Sequence, residues 1–359
     1  MPPGAPVEMI SRGKRRRSYD RLSDLPDCLL HVILSGLDSR RAAQTSLLSR
    51  RWRHLWRDLP CVNIDEREFA DETWERFADL VDKILASISP DTQIDAFRLH
   101  LLRGNFTASG RWIHQGLRHA PTTIDIRAAS DTTVIWRQSM PVSRSAKFTS
   151  RLTTLHLVHV KIIEGFTKDL GHYCPVLEEL HMESCRMYIN VVASPTLRSL
   201  AVISPSTYGT GAGPLMLMAP RLASIRLEIP YDRWRYYYHA DAVAFDPQPL
   251  PLLADASIRL TGLYKHHPDR PLWQALKLDF VKSVCSFIAF LPNVANLHLS
   301  GFTVEESLQE EFLEFPVLHN LKTLLMEECG VGASFLVLTS ILRSTPNLEK
   351  LGLHQCIDD

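Results

Sequence analysis

One short phrase, L-x-x-L-x-L in outline, recurs through residues 94–359 and constrains the fold more than any other feature. Clear copies are RLTTLHLVHV, VLEELHMESC and NLKTLLMEEC. The middle apolar residue of each copy falls at ten positions: Phe97, Ile124, Leu155, Leu180, Leu200, Ile225, Ile258, Leu297, Leu324 and Leu351. One such unit cannot bury its own apolar face, whereas stacked units share a continuous core. The repeats therefore predict an α/β solenoid of about ten degenerate leucine-rich repeats, with short parallel strands on its concave face and helices and loops on its convex face.

Each repeat also predicts one side chain on the concave face, because a strand points alternate side chains to opposite sides. These outward positions are Arg98, Asp125, His156, His181, Ala201, Arg226, Arg259, His298, Leu325 and Gly352. Arg and His dominate this row, so we expect a positive strip that binds an acidic or phosphorylated protein segment. The alternative is that polar side chains merely solvate an open sheet.

A second candidate surface lies in the long interval between Ile225 and Ile258. It contains the stretch YDRWRYYYH, in which aromatic residues alternate with arginines. Trp234, Tyr236 and Tyr237 are of the residue types enriched at protein-binding hot spots. The alternative is that these rings pack on their own enlarged repeat.

Three cysteines share one position in the repeat. Cys185, Cys329 and Cys356 each follow their anchor by five residues, where a small side chain turns the chain inward. A metal site built from them is disfavoured, because no C-x-x-C pair accompanies them. The sequence KHHPD at 265–269 is interpreted as an exposed loop, and we expect no metal or other cofactor.

The N-terminal part differs in character. Residues 1–17 are Pro-rich and then basic (SRGKRRR) and predict a disordered arm, whereas 18–60 predict three short helices. Ser23 or Asp24 is expected to cap a first helix that Pro26 opens. The apolar residues of that helix cover roughly 200° of its circumference, about twice the width that a one-sided helix needs. A module of this size with so much apolar surface is expected to fold against another protein.

Residues 61–93 predict a linker whose amphipathic helix caps the repeats. Phe77, Leu80, Val81, Ile84 and Leu85 share one face of that helix. Pro90 ends it.

Composition narrows the function classes. Residues 1–60 carry twelve Lys/Arg against six Asp/Glu in a chain whose formal charge is zero. The start MPPGAPVEMI lacks the pattern of a signal peptide, no stretch of 18 apolar residues exists, and seven cysteines are odd in number. These features favour reduced thiols, no membrane partner, and a location in the nucleus and/or cytoplasm. No nucleophile motif, phosphate loop or zinc-protease motif is present, so we expect no catalysis.

The stretches LSDLPDCLLHVILSGL and TSLLSRRWRHLW resemble the F-box of plant proteins, and CPVLEELHMESC resembles their leucine-rich repeats. The chain is identified as a member of the plant F-box/leucine-rich-repeat family, here without the C-terminal FBD domain of many relatives. The resemblance implies that the F-box docks a Skp-type adaptor of a cullin-based ubiquitin ligase and that the repeats hold a protein substrate. It also implies a set of residues shared between the adaptor interface and the F-box core: Leu25, Pro26, Leu29, Ile33, Leu34, Leu48, Trp52, Leu55 and Trp56.

Two alternatives remain open. The repeats alone are equally compatible with an interaction scaffold that is not coupled to ubiquitination. The basic helix RRWRHLWR could instead belong to a nucleic-acid-binding helix-turn-helix. That interpretation is disfavoured because Trp52, Leu55 and Trp56 occupy the face on which a groove-reading helix carries polar side chains.

Overall fold

Along most strands, buried and more exposed residues alternate, because the apolar residues of each repeat alternate with polar ones. The computed structural model describes residues 22, 24–69, 72–103, 106–130, 134–136, 149–162, 166–186, 191–204, 216–230, 250–261, 288, 291–301, 317–328 and 336–355. Within these residues, eleven strands form one parallel sheet in the order β1-β2-β3-β5-β7-β9-β11-β12-β13-β14-β15. They span Cys61–Asp65 (β1), Ala96–Leu101 (β2), Thr123–Ala128 (β3), Thr154–Val158 (β5), Glu179–Glu183 (β7), Ser199–Ile203 (β9), Ser224–Pro230 (β11), Asp255–Thr261 (β12), Asn296–Ser300 (β13), Thr323–Glu327 (β14) and Lys350–His354 (β15).

The remaining elements connect or flank these strands. Two short parallel pairs lie outside the main sheet: Val134–Trp136 (β4) with Val160–Ile162 (β6), and Val191–Ala193 (β8) with Met216–Met218 (β10). The helices are Asp27–Ser35 (α1), Ser39–Gln44 (α2), Trp52–Leu55 (α3), Trp74–Ser87 (α4), Phe106–Leu117 (α5), Leu170–Tyr173 (α6) and Leu336–Arg343 (α7). Single 3-10 turns follow α2, α3 and β1 at Thr45–Leu47, Trp56–Asp58 and Glu66–Phe69. A small helical module followed by a parallel-strand solenoid confirms the predicted fold class.

A carbonyl ladder holds the coils in register. The carbonyl that precedes each strand accepts two N–H groups of the next coil, as when Thr122 accepts from Thr153 (2.9 Å) and Thr154 (3.1 Å). The first rung is the carbonyl of Pro60, which accepts from Asp95 and Ala96. Successive strands are thereby fixed in register.

A left-handed residue ends many of the strands. His159, Ser184, Ser204, Gly301 and Glu328 have φ between 44° and 75°. Each donates its N–H to a residue in the C-terminal part of a neighbouring strand, for example His159 to the Glu183 carbonyl (2.9 Å). This turn sends the chain from the concave face back towards the core.

Two apolar cores result. The larger runs through the solenoid, and nine of the ten predicted anchors lie in one register row. The smaller lies within the N-terminal helices and contains Leu30, Leu34, Ala42, Trp52, Leu55 and Leu59. The helix α4 contributes Phe77, Val81, Ile84 and Leu85 to burial as predicted, with Leu80 only partly buried.

Three local expectations are corrected. Ile258 aligns with Leu227, so Ala256 is the residue in the anchor row of β12. The repeat around β12 is long, and its two L-x-L registers cannot be told apart by pattern alone. The first helix has Pro26 itself as its N-cap, without a side-chain cap from Asp24, and Ser23 lies outside the described residues.

The third correction concerns the segment 61–93. It contains β1, which pairs with β2 as a full member of the sheet. The sequence CVNID lacks the L-x-L pattern, and its strand was therefore missed.

The last strand differs from the others. Leu351 and Leu353 in β15 are 44% and 45% exposed, whereas their neighbours Leu324 and Met326 in β14 are buried. Within the described residues, no further coil covers this side of β15.

Candidate protein-interaction surfaces

The N-terminal helices divide their apolar residues between a core and solvent. On α1, Leu30 and Leu34 are buried, whereas Leu29, Val32 and Ile33 are 47%, 68% and 47% exposed. The wide apolar arc of this helix thus serves two surfaces. Only one of them is covered by the helices of its own module.

A second exposed apolar group lies on the 3-10 turn after α2. Leu47 and Leu48 are 87% and 68% exposed, and Leu22 ahead of α1 is half exposed. Both α1 and this turn contact α3, which places the two exposed groups on one small module. Such apolar exposure on a module of about forty residues is typical of a protein-binding surface.

The structure separates the predicted F-box residues into two sets. Leu34, Trp52 and Leu55 lie in the core, and Leu25 and Trp56 pack partly against it. Pro26, Leu29, Ile33 and Leu48 are exposed. Sequence reasoning missed Leu22, Val32 and Leu47 as surface candidates, although the wide apolar arc of α1 already pointed to Val32.

A salt bridge holds the start of α1 on the rest of the module. The Arg51 guanidinium pairs with the Asp27 carboxylate (2.6 Å) and donates to the Leu25 carbonyl. Asp38 caps α2 by accepting from the Arg41 N–H (2.8 Å). The exposed leucines are therefore carried by helices whose ends are fixed.

A cleft of about 490 Å³ lies between this module and α4. Its walls include Leu47 and Ala43 on one side and Leu80 on the other, with charged side chains around them. The cleft is open to solvent beside the exposed Leu47.

The concave face carries the predicted row, with one change. Arg98, His156, His181, Arg226 and His298 occupy equivalent positions on their strands. Ser257, and not Arg259, fills the row on β12. Arg259 lies two residues further on and pairs with the Glu328 carboxylate (2.6 Å).

Carboxylates beside the row change its electrostatics. His156 lies 3.3 Å from Glu179, His181 lies 3.5 Å from Glu183, and the two imidazole rings are 5.4 Å apart. His298 lies 3.2 Å from Glu327. The predicted positive strip is therefore flanked by acids, because the adjacent rows, which the prediction from sequence did not consider, carry carboxylates.

Two permanent cations of the row remain available. Arg98 and Arg226 are exposed, and no ion pair involves either guanidinium within the described part of the chain. Arg127 and Asp125 pair with each other at 2.9 Å. Arg98 and Arg226 are thus the concave residues best placed to meet an acidic partner.

The cysteines behave as packing residues where the structure describes them. Cys185 is fully buried, and its thiol donates to the Leu157 carbonyl (3.2 Å). Burial raises the pKa of Cys174 and of Cys185 to about 12. Among the described residues, no group of His, Cys, Asp and Glu is arranged to hold a metal ion.

Some predictions fall elsewhere. Several predicted features lie outside the described residues: Trp234, Tyr236 and Tyr237, the cysteines at 329 and 356, the KHHPD loop and the basic arm 1–17. Within the described ranges, no helix combines the length and apolarity that crossing a bilayer requires.

Comparison with known proteins agrees with this architecture. A family model of the F-box domain matches residues 22–63. The meiotic F-box protein MOF of Oryza sativa subsp. japonica is 37% identical over 94% of this chain and 72% of its own length. The F-box/LRR-repeat protein 13 of Arabidopsis thaliana is 26% identical over 95% of this chain and 78% of that protein. An F-box/FBD/LRR-repeat protein of the same plant is 25% identical over 86% of this chain and 75% of that protein.

A helical F-box module joined to a parallel-strand solenoid defines a class of modular binding proteins, in which one part docks and the other recognises. The similarity across nearly the whole chain is more specific. The chain belongs to the plant F-box/LRR-repeat family. This family is an adaptor-type, non-catalytic one, and the chain has a substrate-receptor-like organisation.

Proposed function

We propose that this chain is the substrate-recognition subunit of a Skp-cullin-F-box type ubiquitin ligase and is not itself catalytic. The observation that carries the proposal is the exposed apolar set on the F-box: Leu22, Leu29, Val32, Ile33, Leu47 and Leu48. Burying such side chains on a partner stabilises a complex by about 1.5–3 kcal/mol for each one fully covered. The partner would be a Skp-type adaptor and, through it, a cullin.

The test is co-purification of the adaptor with F-box variants. Val32→Glu and Leu48→Glu place a charge on the exposed surface and leave the core residues Leu30, Leu34 and Trp52 untouched. We expect each variant to lose the adaptor. Leu252→Glu, which charges a leucine of the repeats that is 58% exposed, is the control. Full adaptor recovery with both F-box variants would disprove the proposal.

Leu25 and Pro26 are poorer positions for this test. Leu25 packs partly on the F-box core and accepts a hydrogen bond from Arg51, and Pro26 is the N-cap of α1. Alanine at these sites would weaken the module as well as its surface.

The repeats would hold a protein substrate on the concave face. Arg98 and Arg226 are the contacts we propose for an acidic or phosphorylated segment, because a guanidinium binds carboxylate and phosphate with paired hydrogen bonds. Trp234, Tyr236 and Tyr237 form the second proposed contact region. Deleting 232–238 should reduce substrate capture without affecting the adaptor.

The scaffold alternative differs in one measurable respect. A scaffold would bind its partner through the repeats without recruiting a cullin, so immunoprecipitation of the full chain followed by detection of cullin separates the two functions.

Nucleic-acid binding is the third candidate, and three basic residues of the module, of which only Arg51 lies in the helix RRWRHLWR, are already engaged. Arg40, Arg41 and Arg51 each pair with a carboxylate of the same chain. If phosphates were the true ligand, binding should fall steeply between low and moderate salt. Adaptor binding through apolar surface should persist.

We propose a location in the nucleus and/or cytoplasm, and the basic run Lys14 to Arg17 is the candidate nuclear-import patch. A fluorescent fusion in which these four residues are replaced by alanine tests it. Loss of nuclear signal would assign the run as an import sequence.

A further inference from the structure

We infer that α2 of the F-box is a positioning element, which mounts the F-box on the first coil of the solenoid in one fixed orientation. Three consecutive residues, Ser39, Arg40 and Arg41, form what we call the α2 clamp. These residues lie at the junction between the F-box and the solenoid. The consequence of the fixed orientation for ubiquitin transfer rests on the proposed function.

Ser39 closes the free edge of the sheet. Its side chain is 7% exposed, and its hydroxyl accepts a hydrogen bond from the Asn63 N–H of β1 at 2.9 Å. The strand β1 is the first of the sheet, so this N–H faces away from β2 and would otherwise be open to another chain. The F-box thus caps the N-terminal end of the solenoid.

Arg40 holds the turn that follows β1. Its guanidinium pairs with the Glu72 carboxylate (2.6 Å), donates to the Glu68 carbonyl (2.8 Å), and lies 4.5 Å from the centre of the Phe69 ring. Phe69 belongs to the solenoid core, whereas Arg40 belongs to the F-box. One side chain therefore makes three different contacts across the joint.

Arg41 adds an ion pair with the Glu68 carboxylate at 2.6 Å. Each of these pairs is partly exposed, and a single pair of that kind contributes little to stability. What these pairs contribute together is a fixed orientation of α2 relative to the first coil. Contacts at Asn63, Glu68, Phe69 and Glu72 are spread along the first coil and leave α2 little freedom to rotate.

The chain itself leaves no room for a flexible linker. Leu59 is buried in the F-box core, and Val62 is buried in the solenoid core. Between them, the Pro60 carbonyl forms the first rung of the carbonyl ladder by accepting from Asp95 and Ala96. The F-box passes directly into the first coil, and the α2 clamp locks the angle at that point.

A fixed joint would hold the adaptor-binding leucines and the concave face at a constant separation. In a ligase, this would present a captured substrate at a reproducible distance from the adaptor. Loosening the clamp should then reduce transfer while leaving both binding events intact.

The test compares full-length variants in solution without any partner. Arg40→Glu with Arg41→Glu reverses the clamp, and Arg50→Glu with Arg53→Glu makes the same charge change on exposed arginines of the same module. We expect hydrogen exchange at β1 and the turn Glu66–Phe69 to accelerate about tenfold or more in the clamp variant only. Calorimetry should show the F-box melting before the solenoid in that variant, against one joint transition in the wild type.

A charge swap supplies the decisive comparison. Adding Glu68→Arg and Glu72→Arg to the clamp variant should restore slow exchange and joint melting. If the clamp variant does not fold, Ser39→Ala replaces it, with the Asn63 amide as the readout. Unchanged exchange at β1 in the clamp variant and in Ser39→Ala would overturn the inference, as would failure of the swap to restore it. Because no adaptor is involved, this outcome is independent of whether the proposed function holds.

Discussion

Arg103, after β2, and Glu66, after β1, form an ion pair in which only the glutamate is buried. The Glu66 carboxylate, which is fully buried, accepts from the backbone N–H groups of Leu102 (2.7 Å) and Arg103 (2.9 Å) and pairs with the Arg103 guanidinium. The partner side chain is 43% exposed. The acid thus satisfies two backbone donors that have no strand partner at the end of β2.

Glu66→Ala should therefore destabilise the chain by on the order of 2 kcal/mol, because two partly buried N–H groups lose their acceptor. Arg103→Ala should cost less, because it removes the guanidinium that pairs with this carboxylate and donates to the Glu72 carbonyl but leaves the two backbone N–H donors in place. Urea unfolding followed by circular dichroism measures both. Equal losses for the two variants would contradict the explanation.

The turn after β13 requires glycine. Gly301 has φ +75°, and a Cβ there would lie 2.0 Å from the Leu260 carbonyl oxygen. Gly301→Ala should cost on the order of 2 kcal/mol or more, from left-handed strain and from the clash. Gly110→Ala in α5 meets no atom within 4 Å and should instead stabilise by about 0.5–1 kcal/mol. The two melting temperatures should move in opposite directions.

The thiols should differ sharply in reactivity. Cys28 is exposed, whereas burial raises the pKa of Cys174 and Cys185 to about 12. At pH 8, iodoacetamide should label Cys28 in the folded chain well before Cys174 or Cys185, as mass spectrometry of the peptides would show. Labelling in urea is the control, because there all three should react alike.

The same burial has a consequence for stability. The unfolded thiols ionise near the ordinary pKa of 9.0 and the folded ones only near 12, so the unfolded chain loses its protons first. This contribution to stability is complete below pH 9 and declines as the pH rises from there towards 12. Cys174→Ala with Cys185→Ala should flatten the fall in the urea midpoint between pH 8 and pH 10.5. An unchanged slope would show that other groups control it.

Arg226 and Arg259 should respond differently to charge reversal. Arg226 is exposed on the concave row, whereas Arg259 is engaged with Glu328. Arg226→Glu should weaken binding of a labelled Glu-rich peptide several-fold and reduce its salt dependence. Arg221→Glu, at an exposed site ahead of β11, is the matched control. The concave face would lose its assigned role if the peptide bound both variants equally well.

Arg259→Glu should act mainly on folding. It leaves Glu328 facing a second carboxylate at the end of β14, so the melting temperature should fall more than the peptide affinity. Adding Glu328→Arg should restore the melting temperature.

The repeats could be predicted because each one is marked by a short pattern of apolar residues that burial in the core requires. A residue such as Leu155 or Leu180 must be apolar to reach the core, and the spacing of the phrases then fixes the order of strands. The wide apolar arc of α1 likewise predicted that part of its surface would bind another protein. Both signals lie in single short segments of the sequence.

The features that could not be predicted depend on contacts between segments that are far apart in the chain. The strand β1 has no leucine pattern, and its membership of the sheet follows from pairing with β2. Arg259 was assigned to the strip because the register of β12 was taken two residues off, and the histidines because a single row was considered. Glu179 and Glu183 belong to the neighbouring positions of the same sheet, and only the register reveals that they face those histidines.

The first and last described strands of the solenoid are unequally covered, and this gives the described coils a polarity in their dynamics. In a linear array each coil is stabilised by its neighbours, so opening starts at the coil that is covered least. At one end the F-box covers β1, whereas at the other Leu351 and Leu353 face solvent. Thermal unfolding should therefore begin at β15 and proceed coil by coil towards the F-box. A ligand bound to the last strands would slow this unfolding. A substrate held near β15 would lengthen the life of the folded chain more than one held near β2.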